Sequence, residues 1–332
     1  MQICGVSVAA GERRFTWLKV GYLTSGAPLR IPVHIVRGNG AGKTLCLVAG
    51  VHGDETLGIE LLERICREAS PKRLQGALIL VPVANPLGIQ SGSRNVPIDM
   101  LDMNRNFPGD AHGWLAEQMA AAIINEVVRK SDLLIDFHAA PPFQRVNYTY
   151  VSQAAAKTDA EALRLGVLFG QRLIYKSPGH PGALSNVSLT LGLPAFTAEF
   201  GAHLESEHAR DTAIVLRGLQ NVMVDQGLVE GRVARRRDQY VFGPEDYKVL
   251  RPRNGGVLRP TLPTSDQGEE VKKGTELGTV LSPYSFETLE TFKAIYPVTS
   301  LILLRNRSIL KPGDYSYIVG DFSKALKLEY GE

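Results

Sequence analysis

The uncharged run Thr44-Leu-Cys-Leu-Val-Ala49, broken by Gly50-Val-His-Gly-Asp-Glu55, is the stretch on which the reading of this chain turns. Such a run suits a strand buried on both faces, which needs no alternation because neither face meets water. From about Thr56 to Ala69 the spacing becomes helical, with Ile59, Leu62 and Ile65 or Cys66 on one face. A buried strand, a short polar break and an amphipathic helix make one unit of an α/β sheet.

The unit recurs downstream. Ala77 to Val83 reads as a buried strand, followed by a loop from Asn85 to about Gly113 and a helix from Trp114 to Arg129. Leu133-Leu-Ile-Asp-Phe137 is a strand ending at His138, Glu161 to Phe169 a helix, Ala195 to Phe200 a strand, and Glu207 to Gln226 a long helix. Upstream, Phe15 to Leu23 and Ile31 to Val36 have strand character around a turn at Thr24-Ser-Gly-Ala-Pro28. This alternation predicts an α/β fold: a mostly parallel, mixed sheet with helices on both faces. From about Gly231 helical periodicity stops, and short apolar stretches alternate with Gly and Pro. A catalytic domain over 1–230 and a small all-β, barrel-like domain over 231–332 are therefore expected.

Composition excludes several classes of function. The 332 residues are 44% hydrophobic and 21% charged, with a net charge of +3, ordinary for a globular chain. The one basic run, Arg235-Arg236-Arg237, is flanked by Glu230, Asp238, Glu245 and Asp246. It reads as solvated surface, so no nucleic acid partner is expected. No window approaches the roughly 18 consecutive apolar residues of a membrane span. The opening MQICGVSVAAGERR has no basic residue ahead of its apolar run, unlike a signal peptide. Cys4, Cys46 and Cys66 have no metal-type spacing and read as reduced thiols, so a cytoplasmic location is expected. Gly38-Asn-Gly-Ala-Gly-Lys-Thr44 resembles a phosphate-binding loop, but Arg37 stands where the first glycine belongs, and the loop leads into a strand.

In open parallel sheets, ligands gather beyond the carboxyl ends of strands. Three strands here end in groups that bind metals or move protons: His52 with Glu55, His138, and Glu199. Each interrupts or ends an apolar stretch, where an unpaired charge costs several kcal/mol. Two histidines and one carboxylate leave a fourth position open, the ligand count of a catalytic zinc. Glu199 is then the candidate to take a proton from water. Asp136, two residues before His138, faces the same way. It either orients a zinc histidine or carries a structural hydrogen bond.

Four segments together resemble the succinylglutamate desuccinylase/aspartoacylase family, within the zinc carboxypeptidase superfamily. They are Gly50-Val-His-Gly-Asp-Glu55, Asp102-Met-Asn-Arg-Asn-Phe-Pro-Gly109, Asp136-Phe-His138 and Ala198-Glu-Phe-Gly201, and their order and spacing cover roughly residues 10 to 225. The resemblance implies a zinc-carboxypeptidase-like fold, one zinc per chain held by His52, Glu55 and His138, and Glu199 as base and then acid. It also implies that Asn104 and Arg105 bind a substrate carboxylate, and that Arg94 stabilises the oxyanion. Arg94 lies eleven residues before Arg105, farther than in aspartoacylase-type sequences, so an insertion is assumed; a solvated loop arginine is the competing reading. His180, in a turn-rich loop, reads as an exposed histidine or a substrate contact, and His34, His112, His203 and His208 carry no argument.

The expected activity is removal of an acyl group from an N-acylated amino acid or related small carboxylate, its small-molecule partner. Competing readings are a metallocarboxypeptidase, disfavoured by the cytosolic location and lack of a pro-segment, and a non-catalytic zinc-fold binding protein, disfavoured by Glu199. Lys293 lacks the hairpin tip of a biotin or lipoyl carrier. The β domain therefore shields the site or makes a homo-oligomer contact.

Overall fold

The uncharged runs pair with one another at the centre of a ten-stranded sheet. In a computed structural model, which describes residues 1–201 and 205–328 (backbone alone at 205 and 206), Gly40–Val48, Gln75–Val81, Leu133–Ala139 and Ala195–Phe200 take the middle positions. Across the sheet the order is Leu326–Leu328, Gln239–Phe242, Leu173–Ser177, Tyr148–Ser152, Ala195–Phe200, Leu133–Ala139, Gly40–Val48, Gln75–Val81, Pro28–Arg37 and Arg13–Tyr22. Gly40–Val48 runs parallel to both neighbours, and Leu133–Ala139 is parallel to Ala195–Phe200. Tyr148–Ser152 is antiparallel to Ala195–Phe200, as are the strand pairs at the Arg13–Tyr22 edge. The sheet is mixed, with a parallel centre.

Helices Leu57–Glu68, Leu115–Glu126, Asp159–Phe169, Leu184–Thr190 and Glu205–Asp225 pack on this sheet. The first buries Gly58, Leu61, Leu62 and Ile65, so Leu61 takes the place expected of Ile59. Gly58 sets that face. A Cβ there would stand 2.8 Å from Ala49 Cβ, so only a glycine lets the helix lie this close to the strand that carries the site. Leu45, Leu47 and Val48 are fully buried, each worth about 1.5–3 kcal/mol in area removed from water.

The later part of the chain forms two further sheets. One contains Tyr247–Leu250, Tyr317–Asp321, Val298–Arg305 and Glu270–Lys272; the other contains Thr288–Lys293, Glu276–Leu281, Gly256–Pro260 and Ser308–Leu310. Leu258, Leu277, Val280, Leu301 and Tyr317 fill the space between them. The boundary expected at residue 230 is crossed in both directions. Gln239–Phe242 and Leu326–Leu328 extend the central sheet, and Gln144–Val146 pairs with Val298–Arg305 of the β region.

Candidate active site

Strand register assembles the site. Thr197 and Glu199 lie opposite Asp136 and His138 on one side, and opposite Tyr150 and Tyr148 on the other. Tyr150 in turn lies opposite Tyr175. Residues two apart on a strand share a face, so these side chains form two short rows across one face of the sheet. His52 and Glu55 reach the histidine end from the loop after Gly40–Val48. Gly53 holds that loop in place, since a Cβ there would sit 1.9 Å from the Gly88 carbonyl carbon.

His52, Glu55 and His138 are buried and present one ligand atom each, all within 4.8 Å of one another. Glu55 Oε1 lies 2.7 Å from His52 Nδ1, Glu55 Oε2 lies 2.9 Å from His138 Nδ1, and the two Nδ1 atoms are 3.1 Å apart. The outer nitrogens are held as well. His52 Nε2 is 3.2 Å from Asp102 Oδ1, and His138 Nε2 is 3.0 Å from Asp136 Oδ2. A carboxylate behind each ring fixes the tautomer that leaves Nδ1 free to coordinate. This donor set fits a divalent metal. Burial pushes Glu55 up, but the two histidines outweigh it and hold the carboxyl well below its usual range.

Glu199 lines a cavity of about 660 Å³ that opens from this cluster. Burial pushes its carboxyl up to about 7, helped by Glu55 and opposed by His138. Such a group is poised between base and acid near neutral pH. Burial, with Glu199 nearby, also raises the phenols of Tyr148 and Tyr175 well above their usual range, so both stay neutral.

The remaining expected residues are placed unevenly. Arg94 lies at the cluster, its side chain 42% exposed, with NH2 3.1 Å from Asp102 Oδ2 and NH1 3.4 Å from Glu55 Oε1. Asn104 is buried and largely engaged: its Oδ1 accepts from Leu184 N at 2.8 Å, and its Nδ2 stands 3.3 Å from His138 Nε2. Arg105 is exposed at the cavity wall, where NH1 donates to the Asn104 carbonyl at 2.8 Å. Among the described residues it forms no ion pair. Asp102 turns inward to His52, whereas Asp99 accepts from the backbone of Leu101 and Ala116. His180 is exposed on the cavity rim, and its Nδ1 accepts from Gly182 N at 3.1 Å. His34 packs on Phe15 and His112 is exposed, both away from the cavity, while His203 lies outside the described residues.

Sequence reasoning missed the aromatic wall. Tyr148, Tyr150, Tyr175, Tyr247 and Tyr315 all line the cavity, with the Tyr175 ring 4.9, 4.9 and 4.8 Å from those of Tyr148, Tyr150 and Tyr247. The available signal was Tyr148-Thr-Tyr150, whose period of two puts both rings on one face. Tyr247, Val249, Leu303, Tyr315 and Ile318 come from the β region, which therefore closes one side of the cavity.

Residues 41–225 match the family model described as the succinylglutamate desuccinylase/aspartoacylase catalytic domain. The chain is 30% identical over 254 residues to the N-alpha-acetyl-L-2,4-diaminobutyric acid deacetylase of Halomonas elongata, covering 73% of each protein. It is 28% identical over 232 residues to the succinylglutamate desuccinylase of Ectopseudomonas mendocina, covering 66% of this chain and 64% of that one. Among solved structures, the product-bound ectoine utilization protein EutE (DoeB) of Ruegeria pomeroyi has the same fold, with a TM-score of 0.83 at 24% identity over 95% of this chain and 98% of that one.

Proposed function

The chain belongs to the succinylglutamate desuccinylase/aspartoacylase family, and from that premise we propose that it is a zinc-dependent amidohydrolase that removes the acyl group from an N-acylated amino acid. One observation carries the reading: two imidazole rings and one carboxylate, all buried, bring ligand atoms within 4.8 Å of one another in the lining of a cavity that also holds Glu199. Two histidines and a carboxylate with an open position are the ligand set of a catalytic zinc.

His52, Glu55 and His138 hold the metal, one per chain, and Asp102 and Asp136 aim the two rings. When bound, zinc supplies a Lewis acid that acidifies water and polarises the scissile carbonyl. Glu199 accepts a proton from the attacking water and returns it to the leaving nitrogen, a task that suits a carboxyl near 7. Arg94, already drawn to the cluster by Asp102 and Glu55, donates to the oxygen that gains charge in the transition state. Arg105, with no carboxylate partner among the described residues, receives the carboxylate of the substrate in a two-pronged hydrogen bond. Asn104 supports this by holding the Arg105 loop against Leu184, whose backbone N–H donates to Asn104 Oδ1.

The test is a hydrolysis screen of zinc-loaded protein against N-acetyl, N-succinyl and N-formyl amino acids and short peptides, with zinc content measured in parallel. About one zinc per chain and release of an acyl acid from an N-acyl amino acid are expected. Protein that contains no transition metal and gains no activity on adding zinc overturns the reading. Preference for peptide C-termini moves it to a carboxypeptidase.

A further inference from the structure

Behind the cavity a set of buried polar side chains meets at Gln171, in the loop after helix Asp159–Phe169. Gln171 is fully buried, and its amide is fully committed. Nε2 donates to the Glu199 carbonyl at 2.8 Å and to Asn147 Oδ1 at 3.0 Å, while Oε1 accepts from Thr149 Oγ1 at 2.9 Å. Thr149 alternates with Tyr148 and Tyr150, which line the cavity, so its side chain points to the other face of the sheet. From Asn147 the bonding continues outward. Its Nδ2 donates to Asp211 Oδ1 at 2.6 Å, and Asp211 pairs at 3.5 Å with Arg145, whose guanidinium also meets Glu207.

Gln171, Asn147, Thr149, Asp211 and Arg145 all lie outside the cavity lining, yet they converge on the backbone of the one residue there that faces both the histidine cluster and the tyrosines. The Glu199 carbonyl carbon is bonded to the Cα that carries the carboxyl side chain, so a donor fixed at that carbonyl sets the root of the side chain. The network also reaches the β region, since Gln267 Nε2 donates to the Asn147 carbonyl at 3.3 Å and to the Ile302 carbonyl at 2.9 Å. A satisfied buried network stiffens the segments that it joins. Misplacing a reacting group by roughly 1 Å costs about 10²-fold in rate, so stiffness at this point has a direct consequence for turnover.

Resting on the deacylase reading, in which Glu199 moves the proton, we propose that Gln171 is a positioning residue for Glu199. It holds the Glu199 backbone from the face away from substrate and ties it, through Asn147, to helix Glu205–Asp225 and to the β region. Gln171 touches no substrate. Its effect falls on the rate of the proton-transfer step and leaves metal and substrate binding in place.

Two variants test the proposal. Gln171→Met keeps the length of the side chain and removes its hydrogen bonds. Asn221→Leu is the matched control: Asn221 is also buried, and it bonds the Leu168 and Ala234 carbonyls and the Ala234 N–H, away from the Glu199 strand. Both should melt at a lower temperature. Below both transitions, with the best N-acyl amino acid as substrate, Gln171→Met should lower kcat about tenfold or more while KM and zinc per chain stay within about twofold. Asn221→Leu should keep the wild-type kcat. Hydrogen exchange of the Ala195–Phe200 segment should quicken in Gln171→Met and not in Asn221→Leu. The proposal is overturned if kcat of Gln171→Met stays within about twofold of wild type, or if Asn221→Leu loses as much. If Gln171→Met does not fold, Asn147→Ala, which unties Gln171 at a half-buried position, takes its place under the same criteria. If the wild-type protein cleaves no N-acyl amino acid, the deacylase reading fails and exchange alone decides: an unchanged rate at Ala195–Phe200 in Gln171→Met overturns the proposal.

Discussion

Asp136→Asn isolates the part of the candidate metal site that makes a single contact in the structure. Asp136 is fully buried, its Oδ2 lies 3.0 Å from His138 Nε2, and its Oδ1 has no hydrogen-bond partner. The carboxylate thus directs its charge at one imidazole. Asparagine keeps the volume and an accepting oxygen but removes that charge, so the ring keeps its place and becomes a poorer donor. Outer carboxylates of this kind are worth about 10–100-fold in metal affinity or activity, or roughly 1.4–2.7 kcal/mol. We expect the zinc dissociation constant, measured by competition with a chromophoric chelator near neutral pH, to rise by that factor. kcat/KM at saturating zinc should fall by less, because added metal refills the site. Asp102→Asn should act on His52 in the same sense but more weakly in zinc affinity, since Asp102 sits at 3.2 Å, is partly open and shares its charge with Arg94. Unchanged zinc affinity in Asp136→Asn, with only a lower melting temperature, would refute the orienting role and leave a structural hydrogen bond in its place.

Glu199→Gln should lower kcat by ~10² or more while zinc and substrate binding persist; loss of zinc together with activity would mark Glu199 as structural. Replacing the carboxylate of the best substrate by a carboxamide should cost roughly 1.5–3 kcal/mol in kcat/KM, and Arg105→Lys should recover little of the wild-type rate; equal rates for acid and amide would remove Arg105 from substrate binding. Gly53→Ala should destabilise by about 1–3 kcal/mol and weaken zinc binding, because the added methyl meets the Gly88 backbone; melting curves and metal content together read this out. Arg145→Met leaves the buried Asp211 and the partly buried Glu207 without their cation, at a cost of about 3–5 kcal/mol. Burial already raises Asp211, so its ionisation opposes folding as pH climbs from its unfolded value through its folded one; melts across pH should show the smallest loss in acid.

The grouping of His52, Glu55 and His138 was legible because these residues break local patterns. His52 and Glu55 end one uncharged run, and His138 and Glu199 sit in two others. A charge in such a run has few explanations, and a bound metal is one of them. The parallel centre was legible for the same reason, as doubly buried strands carry their own signature. What escaped depends on pairing between distant segments. Tyr148–Ser152 enters the sheet antiparallel to Ala195–Phe200 and parallel to Leu173–Ser177, and nothing near Tyr148 announces either partner. The inward turn of Asp102 and the exposure of Arg105 are likewise set by loop geometry, which alternation cannot reach.

The division expected near residue 230 follows composition, whereas the cavity is lined from both sides of it. Composition changes there because the later chain must build two small antiparallel sheets with tight turns, and periodicity reports that change faithfully. Composition is silent on docking. Gln144–Val146 pairs with Val298–Arg305, and Val146 and Leu303, register partners across that pairing, both line the cavity. Gln239–Phe242 joins the central sheet beside Leu173–Ser177, which brings Tyr247 within ring contact of Tyr175. Backbone pairing therefore fixes the β region over the face of the sheet that carries His138 and Glu199, and the cavity there is lined by side chains from both halves. The candidate metal ligands come from residues before 230, but the cavity they face is completed by residues after it. Changes in the Tyr247–Leu250 strand should thus alter which amide is cleaved more than whether one is.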